Sequence, residues 1–544
     1  MLRMSKRTSI HAKNDGMQIK SEGLLHRDDS LEDQSEMPAN ATLLWDVSNR
    51  LQRLGWKRIL LMLVVFRCIN ALLVQTWFVP DEYWQAVEVA HKMVFKYGYL
   101  TWEWDAGIRG YLHPLLFAIL FKILQLLHLD FPLLLIHSPH ILQGVFSAVG
   151  DLHIYLFARN LTSPSIALLI LISHLSNWFV LFTATRTLAN TMEMILTSVA
   201  LSCYPTTSAC QQQHRAVYLV IVGLACIIRP TAGIVWLPLV LWHLAVESHK
   251  LKFIFTYLAP ICFCSLLLSL AVDRLFYGKW IIVQLNFLKF NLLHDMADFY
   301  GAHPWHWYIT QGFPVLLGPQ LVLFVISVVY HGKQLKHWLC LIFWTITVYS
   351  ILGHKEFRFL MSLLPIAALF NGLAMLKMLR TKLSTALLSL LLTTSIIMAL
   401  YTGLVHQRGA IHVMEYLRWV AASGGTASVM FLMPCHSTPY YSYIHTNITM
   451  RFLECPPDLH RKAEYVDVAD VFYRNPKEWL DKEFNLTNKP PTHLVMYDRL
   501  ANQSIEEFLQ FWEFKKCHDV FHSHFPDGRV GTHVLVFCRN EVVS

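Results

Sequence analysis

Apolar residues fill much of this chain in blocks of roughly twenty, the number that crosses a bilayer core of about 30 Å. Such blocks lie near 59–78, 139–158, 165–184, 187–204, 215–229, 231–246, 253–272, 314–330, 338–352, 358–376 and 383–404. Another apolar stretch, 113–136, carries Lys122, His128 and Asp130. A charge at the bilayer centre costs roughly 3 kcal/mol, so 113–136 reads as a luminal interfacial helix or re-entrant hairpin. About eleven transmembrane helices are therefore predicted. Two of the blocks, 215–229 and 231–246, are short and flank Arg229-Pro230. They read as half-depth helices lining a cavity, where broken backbone can be satisfied.

Charge around these blocks sets direction. Arg50, Arg53, Lys57 and Arg58 precede the first block, which places the N-terminus in the cytosol. Residues 1–55 are polar, with no apolar period and no early apolar core. They read as a disordered cytosolic tail rather than a cleavable signal peptide. The basic turns at 249–252, at Lys333 with Lys336, and at Lys377 with Arg380 and Lys382 are all cytosolic if residues 405–544 are luminal. That condition requires an odd number of crossings. The domains expected are thus the tail 1–55, a transmembrane domain 56–404 with a luminal loop 79–138, and a luminal domain 405–544.

The last domain mixes strand and helix patterns, which predicts an α/β fold. It holds Cys435, Cys455, Cys517 and Cys538, and sequons at Asn447, Asn485 and Asn502. Four cysteines beside sequons suit an oxidising lumen and leave three disulfide pairings open. Two further sequons, at Asn40 and Asn160, fall on the cytosolic side and should stay bare. The other seven cysteines lie in or near the spans as small apolar residues.

Composition agrees with this outline and removes other classes. The chain of 544 residues is 54% hydrophobic and only 15% charged, with mean hydropathy +0.39. Disorder and collagen are excluded, the latter by 23 glycines in all. The net charge of +8 is not gathered on one face, so no nucleic-acid partner is expected. No His-Glu-x-x-His, Walker or Gly-x-Ser-x-Gly motif is present. A soluble nucleotide-binding domain is absent, and an activated donor must arrive through the membrane.

In the predicted topology, ionisable and aromatic residues gather in luminal turns. The first loop holds Asp81-Glu82-Tyr83-Trp84, then Trp102-Glu103-Trp104 and Ile108-Arg109. The turn after 165–184 holds Arg186, Asn190 and Glu193. The loop 273–313 holds Tyr300, His303, Trp305 and Tyr308. The turn before 358–376 reads His354-Lys355-Glu356-Phe357-Arg358. Each group alone has a plainer explanation. The acids can cap a helix, the tryptophans can form an interfacial belt, the cations can snorkel, and Arg186 can pair with Glu193. Four such groups facing one compartment instead predict a site.

That chemistry suits sugar transfer from a lipid-linked phosphosugar. Lys355, Arg358, Arg186 and His354 are the candidate phosphate ligands. Phosphate leaves as an anion without a general acid, so one carboxylate suffices as general base. Asp81 is the expected base, with Glu82 holding it. Trp102, Glu103, Arg109, Asn190, Glu193, Glu356, Tyr300, His303, Trp305 and Tyr308 are expected to bind substrate or support the site. No metal and no cofactor are expected.

The segment 354–359, with Asp81 to Trp84, residues 101–109, Arg186 through Glu193, and Tyr300 to Tyr308, resembles the dolichyl-phosphate-mannose-dependent mannosyltransferases of glycosyltransferase family 22. Gly110 stands where that pattern expects serine. The resemblance implies a GT-C fold in the endoplasmic reticulum membrane, with catalysis at Asp81 and Glu82. It implies dolichyl-phosphate mannose as a β-linked donor. The whole chain looks most like members that add the third mannose, in α1,2 linkage, to a GPI precursor bearing two mannoses. A sister enzyme acting on the dolichol-linked N-glycan precursor, a transporter or scramblase, and a non-catalytic subunit are the competing readings.

Overall fold

The computed structural model describes residues 39–206, 216–293, 299–423, 427–458, 465–501 and 505–539. It is a multi-pass helical membrane protein with a small sheet domain at its C-terminal end. Five helical runs are long and apolar enough to cross a bilayer: Pro132–Leu161, Lys250–Tyr277, Tyr308–His331, Phe357–Met378 and Lys382–Ala422. The last run includes Gly409–Ala422, which leads into the C-terminal domain. The remaining six predicted blocks are shorter, divided or more charged. The block 165–184 breaks into Pro164–Ser176 and Trp178–Thr183. Asn177 causes the break, because its side chain caps Phe179 N and Val180 N, each at 3.0 Å. Around Arg229-Pro230 the helices Val217–Ile228 and Ala232–Val246 are only 12 and 15 residues long.

Three boundaries differ from expectation. The tail does not stay irregular to residue 55, because helix Ala39–Leu73 begins well before it. Gly55, at φ 74° and ψ 158°, divides that helix into two parts. Leu51 from the first part packs against the transmembrane core. The stretch 113–136 is not one unit. Leu112–Leu126 ends in a turn, and residues 132–136 open the long helix Pro132–Leu161, whose fixed start comes from Pro132. At 15 residues the first piece spans only about 22 Å. The predicted loop 273–313 also carries helical turns at Val283–Leu288 and Lys289–Leu293.

One buried pair of charges lies inside the bundle. Arg67 grips Asp151 at 2.7 and 2.8 Å and also reaches Asn70 at 3.1 Å, with His174 3.4 Å from the same carboxylate. Such a pair is retained because losing one partner strands a buried ion. Close packing sets the rest. A Cβ on Gly372 would stand 2.4 Å from the Ile170 side chain and 2.7 Å from its backbone nitrogen, so only glycine permits this helix approach.

The C-terminal domain is a five-stranded sheet: β1 (Ser428–Leu432), β2 (Thr449–Phe452), β3 (His493–Tyr497), β4 (Phe514–Phe521) and β5 (His533–Arg539). Their order is β2-β1-β3-β5-β4, parallel across the first three and antiparallel thereafter. Residue alternation gives the sheet two apolar faces. Met430, Leu432, Leu494 and Met496 pack on Phe472, Leu480 and Phe508. Val429, Phe431, Val495 and Tyr497 face the other way, sharing a core with Leu417, Phe117 and Phe121. The apolar helix Leu112–Leu126 joins this core through helix Glu88–Phe95, where Phe121 meets Phe95. The cysteines pair as Cys435–Cys455 and Cys517–Cys538. Asn447 and Asn485 are exposed, and Asn502 lies outside the described residues.

Glu88 joins the two parts. Its buried carboxylate accepts from Tyr440 N at 2.7 Å, from Ser442 N and from Ser442 Oγ at 2.5 Å. Burial pushes this carboxyl up to about 7 against those hydrogen bonds.

Candidate active site

Pro80 ends an extended segment, and a helix starts at once, with Tyr83 N and Trp84 N both bonding to the Pro80 carbonyl at 3.0 Å. Asp81 thus sits in a first helical turn, where unpaired N–H groups favour a carboxylate. The turn Tyr83–Val87 is π-helical, a widening often found at functional sites. The two adjacent acids leave the chain in different directions, as successive helical residues do. Asp81 stays 20% exposed, whereas Glu82 is 1% exposed.

Arg358 donates from Nη1 to Asp81. Its Nε and Nη2 meet Glu356 at 2.5 and 2.6 Å, a two-pronged grip on the second carboxylate. His354 closes the row, with Nε2 3.1 Å from Glu356 and Nδ1 2.8 Å from the Gly301 carbonyl. Burial would raise the Glu356 carboxyl, but Arg358 and His354 hold it well below the carboxylate range. Burial would lower His354, yet Glu356 and the Gly301 carbonyl raise it, since both ring nitrogens face acceptors.

A second pair stands alongside. Arg109 meets Glu103 at 2.6 and 3.0 Å, and Gln85 donates to the same carboxylate at 3.0 Å. Gly107 makes this possible. Its φ of +65° turns the chain back so that Arg109 returns to Glu103, while Asn286 holds its carbonyl at 3.1 Å.

Several expected residues support the site from behind. Tyr308 is fully buried and clamps Glu356, its hydroxyl 3.2 Å from both the backbone carbonyl and the amide nitrogen. Asn190 donates to the Arg358 carbonyl at 3.1 Å. Trp102 stacks near Tyr300, and Tyr300 donates to the Cys455 carbonyl at 3.2 Å. His303 lies on Trp307 with ring centroids 4.7 Å apart.

Other expected residues are placed elsewhere. Glu82 makes no contact with Asp81 and does not hold it. Its carboxylate lies 2.7 Å from Arg186, and burial raises its carboxyl against that cation. Arg186 is fully buried, with bonds also to the Phe182 carbonyl, the Thr76 carbonyl and Thr76 Oγ1. Its donors are turned into the protein rather than towards a phosphate beside Asp81. It does not pair with Glu193 either, which meets Arg229 at 2.8 Å. Lys355 is 4% exposed and donates to the carbonyls of His303, Leu352 and Gly353. It ties two loops together. Trp305 is 69% exposed on its loop and reaches only the neighbouring His306 ring.

The reading by motif missed Gln85, Arg229 and the C-terminal loop at 434–440. Trp84 donates to the Thr438 carbonyl at 2.9 Å, which brings that loop to the catalytic turn. Among the described residues, one group offers three metal-ligand atoms within 4.8 Å: Cys435, His436 and Cys455. Both sulfurs are spent in a disulfide, so this group offers no thiolate. The Asp81, Glu103 and Glu356 carboxylates are each paired with arginine.

Sequence and fold together match a known group of enzymes. The model of the Alg9-like mannosyltransferase family matches residues 58–445. GPI alpha-1,2-mannosyltransferase 3 of Mus musculus is 46% identical over 486 residues, covering 88% of this chain and 89% of the relative. The Homo sapiens protein of the same name is 46% identical over 484 residues, covering 88% and 87%. GPI mannosyltransferase 3 of Drosophila melanogaster is 39% identical, covering 86% and 83%. In fold, the chain resembles apo ArnT from Cupriavidus metallidurans, with TM-score 0.56 at 12% identity over 91% of this chain and 99% of that one. The architecture is thus that of a GT-C glycosyltransferase, and the chain belongs to the Alg9-like mannosyltransferase family.

Proposed function

We propose that this enzyme adds a mannose in α1,2 linkage to the GPI precursor bearing two mannoses, taking it from dolichyl-phosphate mannose in the lumen of the endoplasmic reticulum. The observation that carries the acceptor is the 46% identity, over 88% of the chain, to relatives named for that transfer. A lipid-phosphate donor accords with the fold, since ArnT of the same architecture is bound to undecaprenyl phosphate, with TM-score 0.54.

The chemistry follows from the site. An acceptor hydroxyl beside Asp81 attacks the mannosyl C1, and its proton passes to the Asp81 carboxylate. The bond from C1 to the phosphate oxygen breaks, and dolichyl phosphate departs as an anion. Displacement on the face opposite the phosphate converts a β donor to an α product. Arg358 orients the Asp81 carboxylate and, with His354, offers the positive charge that a leaving phosphate needs.

Microsomes from cells lacking the protein test this. They receive labelled dolichyl-phosphate mannose, the two-mannose GPI precursor, and either wild type or Asp81→Asn at matched abundance. Label should enter the precursor only with wild type. Transfer to the dolichol-linked N-glycan precursor instead would reassign the acceptor. Equal transfer by both proteins would remove Asp81 as base. No transfer to either glycan would favour a transporter or a non-catalytic subunit.

A further inference from the structure

The C-terminal sheet presents one particular edge to the catalytic turn. From β1 the chain moves to β2 on one side, then crosses back to β3 on the other. Loops leaving the carboxyl ends of β1 and β3 therefore diverge, and in open sheets such a point forms a ligand crevice. The loop after β1 is Met433-Pro434-Cys435-His436-Ser437-Thr438. Met433, His436 and Thr438 line a small cleft there with Trp84, Tyr440 and Phe452.

His436 is fixed in this cleft by unusual means. Its φ of +58° lies in the left-handed region, which a non-glycine residue occupies only when its surroundings compel it. The neighbouring Cys435 is tied to Cys455 beyond β2. The ring rests 4.5 Å from Trp84 and 5.1 Å from Phe452, centroid to centroid. Trp84 follows Asp81 by only three residues in the same helical segment. Among the described residues, the His436 ring nitrogens have no hydrogen-bond partner, although Ser437, Thr438 and Trp84 nearby are engaged.

We propose that His436 is an acceptor-binding residue, whose imidazole hydrogen-bonds a hydroxyl of the sugar ring that receives the mannose. The inference rests on the transfer proposed above. It places the acceptor between the C-terminal loop and Asp81, across from Arg358 and His354. Neutral imidazole offers one donor and one acceptor, which matches a hydroxyl and not a phosphate. Burial keeps this ring neutral at luminal pH, pushing it down to about 4 against the nearby Asp81 charge. Buried Trp84 and half-buried Phe452 hold the ring in place from behind.

The test compares His436→Ala and His436→Gln with wild type in the full-length membrane protein, varying acceptor and donor separately. Loss of one neutral hydrogen bond should raise the acceptor KM about tenfold. The donor KM should stay within about twofold, and Gln, with its own donor and acceptor, should recover most of the loss. An unchanged acceptor KM, or equal rises for donor and acceptor, would overturn the proposal. Should His436→Ala fail to accumulate, diethylpyrocarbonate labelling of wild-type His436 gives the answer. The acceptor glycolipid should protect the ring and dolichyl phosphate should not; absence of protection overturns the assignment. If wild type mannosylates a different glycan lipid, the GPI reading falls, and the same KM comparison on that glycan decides His436.

Discussion

Arg358 donates from Nη1 to the carboxylate of Asp81, joining residues 277 positions apart in the chain. The same guanidinium holds Glu356 with its other two edges, so Asp81 is aimed by a side chain that is itself aimed. The arrangement leaves Asp81, of the two adjacent acids, accessible to a substrate, as the proposed transfer requires. Asp81→Asn keeps the shape and removes the base. It should lower turnover by about 10²–10⁴ while abundance and thermal unfolding in detergent stay as in wild type. Transfer rates beside a melting curve check both halves.

Glu82 predicts the opposite. It is buried against Arg186, and Arg186 also binds Thr76 and the Phe182 carbonyl. Arg186→Ala strands a buried carboxylate and several carbonyls, at a cost of about 3–5 kcal/mol. The variant should vanish from the membrane fraction by pulse-chase, and rate per surviving molecule should fall far less than in Asp81→Asn.

Periodicity exposed most of the membrane domain because lipid imposes length and apolarity together. The motifs exposed Asp81, Arg358, Glu356 and Arg109 because charge beside a membrane is costly without purpose. What stayed hidden depended on which way a side chain turns. Asp81 and Glu82 are neighbours in sequence, and only the fold shows that one turns inward to Arg186 while the other meets Arg358. Lys355 lies between His354 and Glu356 yet spends its ammonium on loop carbonyls. His436 belongs to no charged cluster, and its nearness to Asp81 exists only once the sheet domain docks. The helix at 39–54 was missed because its apolar positions mix with polar ones, and it gains its stability by packing on the bundle.

The His354–Glu356 clamp should depend on pH. The His354 value is raised above 6.5, so its contribution is complete below that pH and is lost as pH rises through the folded value. The Glu356 value is lowered below 4.5, so its contribution is complete above that pH and is lost as pH falls through the folded value. Together they make segment 353–359 tightest between about 4.5 and 6.5. Hydrogen exchange there, corrected for intrinsic rates, should speed up from pH 6 to pH 8. His354→Gln should flatten that rise.

The two disulfides have different reach. Cys517–Cys538 joins neighbouring strands β4 and β5, whereas Cys435–Cys455 pins the loop that carries His436. Cys435→Ser should raise the acceptor KM more than Cys517→Ser does, with peptide mapping confirming that the other bridge remains. Endoglycosidase should shift the intact protein through glycans at Asn447 and Asn485, both exposed.

Glu88 tests how the domains are joined. Its carboxylate takes backbone N–H groups and one hydroxyl from residues 440–442. Glu88→Ala leaves those buried donors unpaired, at about 1–3 kcal/mol apiece in the worst case. Glu88→Gln keeps an acceptor oxygen and removes the cost of burying an ion, so it should stay near wild type. The raised value of about 7 adds a sign: against an unfolded value of 4.5, the carboxyl's net effect on stability falls as pH rises from 4.5 through 7. Wild-type melting temperature should therefore drop across that window by more than that of Glu88→Gln. Limited proteolysis should cut within the sheet domain of Glu88→Ala before that of wild type, because a loosened domain opens locally.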